Sequence, residues 1–121
     1  MEKSNKTLLL RIFIGSTDKL GNDSLYESLV FKAKEAGLAG ATVVKGVMGF
    51  GASSVIHSYK FWEVAEKLPT VVEIIDEEDK VMAFYETIKG DLEAMRYGCL
   101  VTVEEVTVLL NKAGQKREFY F

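Results

Sequence analysis

The feature that most constrains this chain is the order in which its hydrophobic period changes. Thr7-Leu8-Leu9-Leu10-Arg11-Ile12-Phe13-Ile14 is a near-continuous run of branched and aromatic residues closed by Gly15. It reads as a central strand covered on both faces. Helical spacing follows: Leu25, Leu29, Val30 and Ala33 share one face, while Lys32, Lys34 and Glu35 point away. Ser24-Leu25-Tyr26-Glu27 has the spacing of a capping box and Gly37 suits a C′ stop, so the helix is expected over residues 24–36. Ala41 to Met48 reads as a second strand, in which Gly46 marks a bulge or the close approach of another backbone or a ligand. Pro69 to Ile75 is a third strand, with proline at its permitted first position. Asp76-Glu77-Glu78-Asp79 then supplies an acidic first turn to a helix in which Val81, Phe84, Tyr85, Ile88, Leu92 and Met95 keep a 3/4 repeat. Cys99 to Val103 is a fourth strand. At Glu104-Glu105 the apolar phase flips, which predicts a corner and a separate short strand over 106–110.

The order is βαββαβ. Two right-handed βαβ halves of this kind make an α+β, ferredoxin-like fold: a four-stranded antiparallel sheet, two helices on one face, and here an extra short C-terminal strand. The other face of the sheet has no helices. Arg11 and Glu73 are the only charges inside strands one and three, so that face is too apolar for water and is expected to be buried against other copies of the chain. A length of 121 residues suits one domain, with a core over about 7–110 and tails at 1–6 and 111–121. The net charge of -3 argues against a nucleic-acid partner. One cysteine forbids an internal disulfide, and neither a membrane-length apolar run nor a charged-then-apolar leader is present, so the expected location is the cytoplasm.

Catalytic chemistry finds little support. Cys99 opens an apolar strand and behaves as a small hydrophobe rather than half of a Cys/His pair. Glu77, Glu78 and Asp79 are explained by the helix start, and adjacent Glu104 and Glu105 face opposite ways on a strand, so no metal site and no acid/base pair is assigned. The segment Lys45 to Ser54 stands apart. Gly46, Gly49 and Gly51 let backbone N–H groups turn toward one point and approach an anion, and positive φ at Gly49 or Gly51 would make valine there disruptive. Phe50, between two glycines, is a base-stacking face or a hydrophobic plug. The segment opens a long stretch, 49–68, that holds Ser53 among small residues, then His57 beside Ser58, Tyr59 and Lys60. Phe61, Trp62, Val64 and Ala65 form a short helix in this reading, and connections of such length tend to be functional.

These residues resemble a known family. Leu10-Arg11-Ile12-Phe13-Ile14-Gly15, Gly37-Leu38-Ala39-Gly40-Ala41-Thr42-Val43 and above all Gly46-Val47-Met48-Gly49-Phe50-Gly51 with His57 are similar to the PII-like proteins of domain of unknown function 190. Leu68 to Asp76 and Gly98-Cys99-Leu100-Val101-Thr102 continue the match, over about residues 7 to 110. The resemblance implies a trimer that binds an adenine nucleotide in clefts between subunits and reaches a partner enzyme or membrane transporter through the 49–68 loop. Lys45, Gly46, Met48, Gly49, Phe50, Gly51, Ser53 and His57 would line the cleft, and Arg96, Tyr97 and Gly98 would join them from the turn before strand four. Two departures from PII proteins favour AMP or ADP over ATP as the ligand. Gly98 is followed by Cys99 rather than lysine, and the C-terminal strand reads Val106-Thr107-Val108-Leu109-Leu110 rather than arginine-rich. No cofactor is obligatory. The competing class is a ligand-free trimeric interaction protein; an acylphosphatase-like enzyme fails because Gly15-Ser16-Thr17-Asp18 supplies no phosphate-binding arginine.

Overall fold

The computed structural model describes residues 6–51 and 67–115, together with the backbone of His57 and Ser58. Its main elements are β1 (Thr7–Gly15), α1 (Leu25–Glu35), β2 (Thr42–Lys45), β3 (Pro69–Glu77), α2 (Glu78–Ala94) and β4 (Leu100–Glu105). The sheet runs β2-β3-β1-β4 and every pairing is antiparallel. This is the α+β, ferredoxin-like arrangement read from the sequence. Two short ladders flank it, Lys19–Leu20 on Asp23–Ser24 and Met48–Gly49 on His57–Ser58.

The period of two decides which residues form the core. Leu8, Leu10, Ile12 and Ile14 of β1 share a face with Val72 and Ile74 of β3, and register sets Leu10 opposite Ile74 and Ile12 opposite Val72. Against that face α1 packs Leu25, Leu29 and Ala33, and α2 packs Val81, Phe84, Ile88 and Leu92, all buried. The alternate residues, Leu9, Arg11 and Phe13 with Val71, Glu73 and Ile75, lie on the side without helices. There Arg11 stands opposite Glu73, and its Nε donates to Glu73 Oε2 at 2.9 Å. The same guanidinium bonds Glu104, a diagonal neighbour across β4. The open face is therefore not simply apolar. Three ions hold its middle, and Phe13, Val44, Ile75 and Leu100 lie exposed around them.

Several boundaries differ from the sequence reading, each for a local reason. Ser24 is the N-cap of α1 but makes no side-chain cap bond, and its Oγ is buried without a partner. The Leu25 N–H donates to the Asp18 carbonyl at 2.8 Å, continuing the pairing of Ser24 with Lys19, and the Ser24 side chain forms no capping box. Asp76 and Glu77 remain in β3, opposite Leu8 and Thr7, which leaves Glu78 and Asp79 as the acidic first turn of α2. The Asp76 carboxylate accepts the Ala39 N–H at 2.9 Å and tethers the α1–β2 connection. β4 passes through Glu104 and Glu105 with no corner, since these pair in register with Leu9 and Leu8. Residues 106–110 form no strand. The Val106 N–H donates to the Thr7 carbonyl, and because β1 begins there no further rung is available. The short helix expected around Phe61 to Ala65 falls outside the described residues.

Gly37 does end α1 as expected, with φ of 81°. Its Cβ position is open, so the whole penalty of Gly37→Ala is backbone strain. Urea unfolding is expected to show a loss of about 1 kcal/mol.

Candidate functional site

β1 ends at Gly15, β3 starts at Pro69 opposite it, β2 ends at Lys45 opposite Thr70, and β4 starts at Leu100 opposite Phe13. All the connections that carry candidate residues therefore leave the sheet at one end. One group follows β2. The Lys45 ammonium sits 5.3 Å from the centre of the Tyr26 ring on α1. The Gly46 N–H donates to the Pro69 carbonyl at 2.6 Å, and a Cβ on Gly46 would stand 3.0 Å from Pro69 Cγ. Gly46 thus marks the close approach of another backbone, and β2 stops there rather than at Met48. Gly49 is likewise pressed on Pro69, at 3.3 Å, whereas Gly51 is open. Neither has a positive φ, so the objection to valine at Gly49 is crowding by Pro69, and at Gly51 there is none. Val47, Met48 and Phe50 are all exposed and form an apolar wall beside these backbone groups. His57 pairs with Gly49 through the backbone, which brings it beside the wall, while Ser53 lies outside the described residues.

The second group surrounds the turn between α2 and β4. Lys67 Nζ and Arg96 Cζ each lie 5.1 Å from the centre of the Tyr97 ring. The Arg96 guanidinium bonds the Tyr97 hydroxyl, and that bond, with the Lys19 N–H and the guanidinium charge, holds the phenol below its ordinary pKa against the effect of burial. The same bond raises the pKa of Arg96, which stays cationic and exposed. Partial burial, then the charge of Asp18, pushes the Cys99 thiol up, the opposite of what a nucleophilic thiolate needs. Gly98 and Cys99 lead into β4, which begins one residue later than the sequence reading placed it.

Asp18 anchors this corner, and the sequence reading gave it no role. It is 1% exposed; its Oδ2 accepts the Gly15 N–H at 2.8 Å and its Oδ1 lies 2.9 Å from Lys67 Nζ. A Cβ on Gly15 would come within 2.1 Å of Lys67 Cε and 3.1 Å of Asp18 Oδ1, so any larger residue there must shift the lysine stem that reaches Asp18. Ser16 closes the same corner: its N–H donates to the Leu68 carbonyl and its Oγ accepts the Leu68 N–H. The available signal was an aspartate three residues beyond a strand-ending glycine, spaced to turn back onto that glycine's N–H.

The two groups share one end of the sheet and leave it from opposite edges. β2 and β4 are its opposite edges, with β3 and β1 between them. Three interstrand spacings separate them, roughly 14 Å. One edge contributes an apolar wall, closely approached backbone and Lys45; the other contributes Arg96 and the Tyr97 ring. Among the described residues, no three His, Cys, Asp or Glu side chains converge as a metal site would require, and no helix is long and apolar enough to cross a membrane.

The fold is one that solved PII-like proteins share. CPII from Thiomonas intermedia K12, a nitrogen regulatory PII-like protein bound to ADP, AMP and bicarbonate, superposes with a TM-score of 0.58 at 18% identity, over 83% of this chain and 87% of that one. A putative PII-like signaling protein from Thermus thermophilus gives 0.55 at 21% identity, over 88% and 91% of the two chains. The chain itself belongs to the DUF190 family, described as Uncharacterized ACR, whose model matches residues 7–108. It is 40% identical over 104 residues to a UPF0166 protein of Aquifex aeolicus, covering 86% of this chain and 94% of the relative.

Proposed function

We propose that the protein is a non-catalytic regulatory trimer that binds an adenine nucleotide, AMP or ADP, in clefts between neighbouring copies. The observation that carries this reading is the division of the candidate site between the two edges of one sheet end. A ring of copies that sets the β2 edge of one beside the β4 edge of the next unites wall and cation, and a monomer does not. In such a cleft the exposed apolar wall suits an adenine ring, while Arg96 and the N–H groups near Gly49 and Gly51 suit its phosphates. CPII, which shares the fold, is known with ADP and AMP bound. The 49–68 segment emerges from the same end and would contact a partner enzyme or a membrane transporter. A single domain in the cytoplasm accords with this role.

Calorimetric titration with AMP, ADP, ATP and cyclic nucleotides tests the reading. AMP or ADP should bind with one site per cleft, and Arg96→Ala should weaken binding roughly 10- to 100-fold without abolishing it, as the loss of one charged contact does. If none of these nucleotides binds to an intact trimer, the exposed Val47, Met48 and Phe50 favour the second reading, a ligand-free interaction protein.

A further inference from the structure

The corner around Tyr97 carries more positive charge than its folding requires. Lys67 enters it just before β3 and Arg96 from the turn between α2 and β4, and each cation lies 5.1 Å from the centre of the same ring. The two charges therefore stand within about 10 Å of each other. Asp18 is the carboxylate whose charge reaches both Arg96 and Tyr97, and it is buried beneath them. The Lys67 side chain above it is 31% exposed, and Arg96 is exposed. One buried carboxylate thus balances one of two cations and leaves the outer surface of the corner positive. It also orders the lysine. Asp18 Oδ1 holds the ammonium at 2.9 Å, and the lysine stem fills the space that a Cβ on Gly15 would need. A long side chain is thereby fixed before any ligand arrives, which lowers the entropy cost of binding one. Both cations keep donors to spare, since an ammonium has more than one carboxylate oxygen uses and a guanidinium more than one phenol uses.

We propose that Lys67 and Arg96 form a clasp for a diphosphate group, each cation taking one of its two phosphates. Tyr97 sets the spacing between them, and Asp18 is a positioning residue that acts through Lys67. A single phosphate satisfies one of two cations held apart by a ring, whereas a diphosphate reaches both. The inference deepens the proposed function, on which its nucleotide form rests: the site selects ADP over AMP, and Lys67 decides the preference.

Calorimetric titration of the full chain with ADP, AMP, inorganic pyrophosphate and phosphate at low salt is the test. The parent should bind ADP at least about tenfold more tightly than AMP, and pyrophosphate more tightly than phosphate by a similar factor. Lys67→Met should weaken ADP and pyrophosphate roughly 10- to 100-fold and AMP less than about threefold, so that the preference collapses. Lys67→Arg, which restores a cation, should recover most of it. Lys67→Met leaves the Asp18 carboxylate buried without its counterion, so Lys67→Met with Asp18→Asn is measured beside it and circular dichroism checks the fold of each. That pair removes one charge of each sign. Its loss of preference then reports where the ammonium stands rather than the net charge of the corner. A parent that binds ADP and AMP equally, or folded Lys67 variants that keep the parent's preference, would overturn the proposal. If no nucleotide binds but pyrophosphate does and depends on Lys67, the nucleotide reading falls and the clasp stands. If pyrophosphate and the nucleotides all fail to bind, both fall.

Discussion

Two variants that each fail to bind AMP or ADP are expected to recover about a quarter of their sites when refolded together. Gly46→Val disables the β2 edge, because its side chain must displace Pro69, whose Cγ and carbonyl oxygen lie 3.0 and 3.4 Å from the new Cβ. Arg96→Glu disables the β4 edge by reversing the charge offered to a phosphate. In a randomly mixed ring each cleft takes one edge from each of two neighbours, and both are intact with a chance of one half times one half, about 25%. Calorimetric stoichiometry on the refolded mixture reads this directly. No recovery from mixed trimers would mean that the site does not span two copies. The outcome therefore tests the cleft rather than the mere presence of nucleotide binding.

The second large effect concerns Asp18. Its carboxylate is the acceptor for the buried Gly15 N–H and the counterion of Lys67. Asp18→Ala strands that N–H and leaves the ammonium without its carboxylate. The stranded donor is worth about 1–3 kcal/mol, and Lys67, whose side chain is 31% exposed, regains part of its hydration. The expected loss is about 2–4 kcal/mol, or roughly 10–20 °C in Tm. Lys67→Met in the same chain should cost less than the sum of the two single changes, because the cation is no longer left behind. Thermal unfolding of the four proteins supplies that cycle. Additive losses would show that the ion pair contributes nothing to stability.

Much of the fold was legible in the sequence because its signals are local. The alternation of Leu8, Leu10, Ile12 and Ile14, the 3/4 repeat from Val81 to Leu92 and the stop at Gly37 each depend on residues close in the chain, and the structure follows them. The misreadings share a different cause. Glu104 and Glu105 looked like a break in phase, but Glu104 is accounted for by Arg11, 93 residues away in the chain. Ser24 had the spacing of a capping box, yet its backbone pairs with Lys19 in a short ladder and its side chain makes no cap bond. Asp76 read as part of a helix start and instead holds the Ala39 N–H. In each case a partner distant in sequence, or a loop of unpredictable path, satisfied the group that the local pattern had assigned elsewhere. The candidate site shows the same division. The close approach at Gly46 could be read from the chain and Arg96 was named only through the family resemblance, whereas Asp18 and Lys67 are joined by folding alone.

Gly15 also limits the order in which this corner can change over a lineage. A side chain at position 15 and an extended lysine at position 67 need the same space, since the Cβ would lie 2.1 Å from Lys67 Cε. A descendant that gains alanine at 15 first must move the flexible lysine stem and crowds the Asp18 carboxylate, whose oxygens lie 3.1 and 3.2 Å from the new Cβ. The same alanine is far cheaper if position 18 has already lost its acid and position 67 its charge. The easier route thus runs through 18 and 67 before 15. The missing methyl group at Gly15 biases the order of substitution rather than supplying a freedom of the backbone.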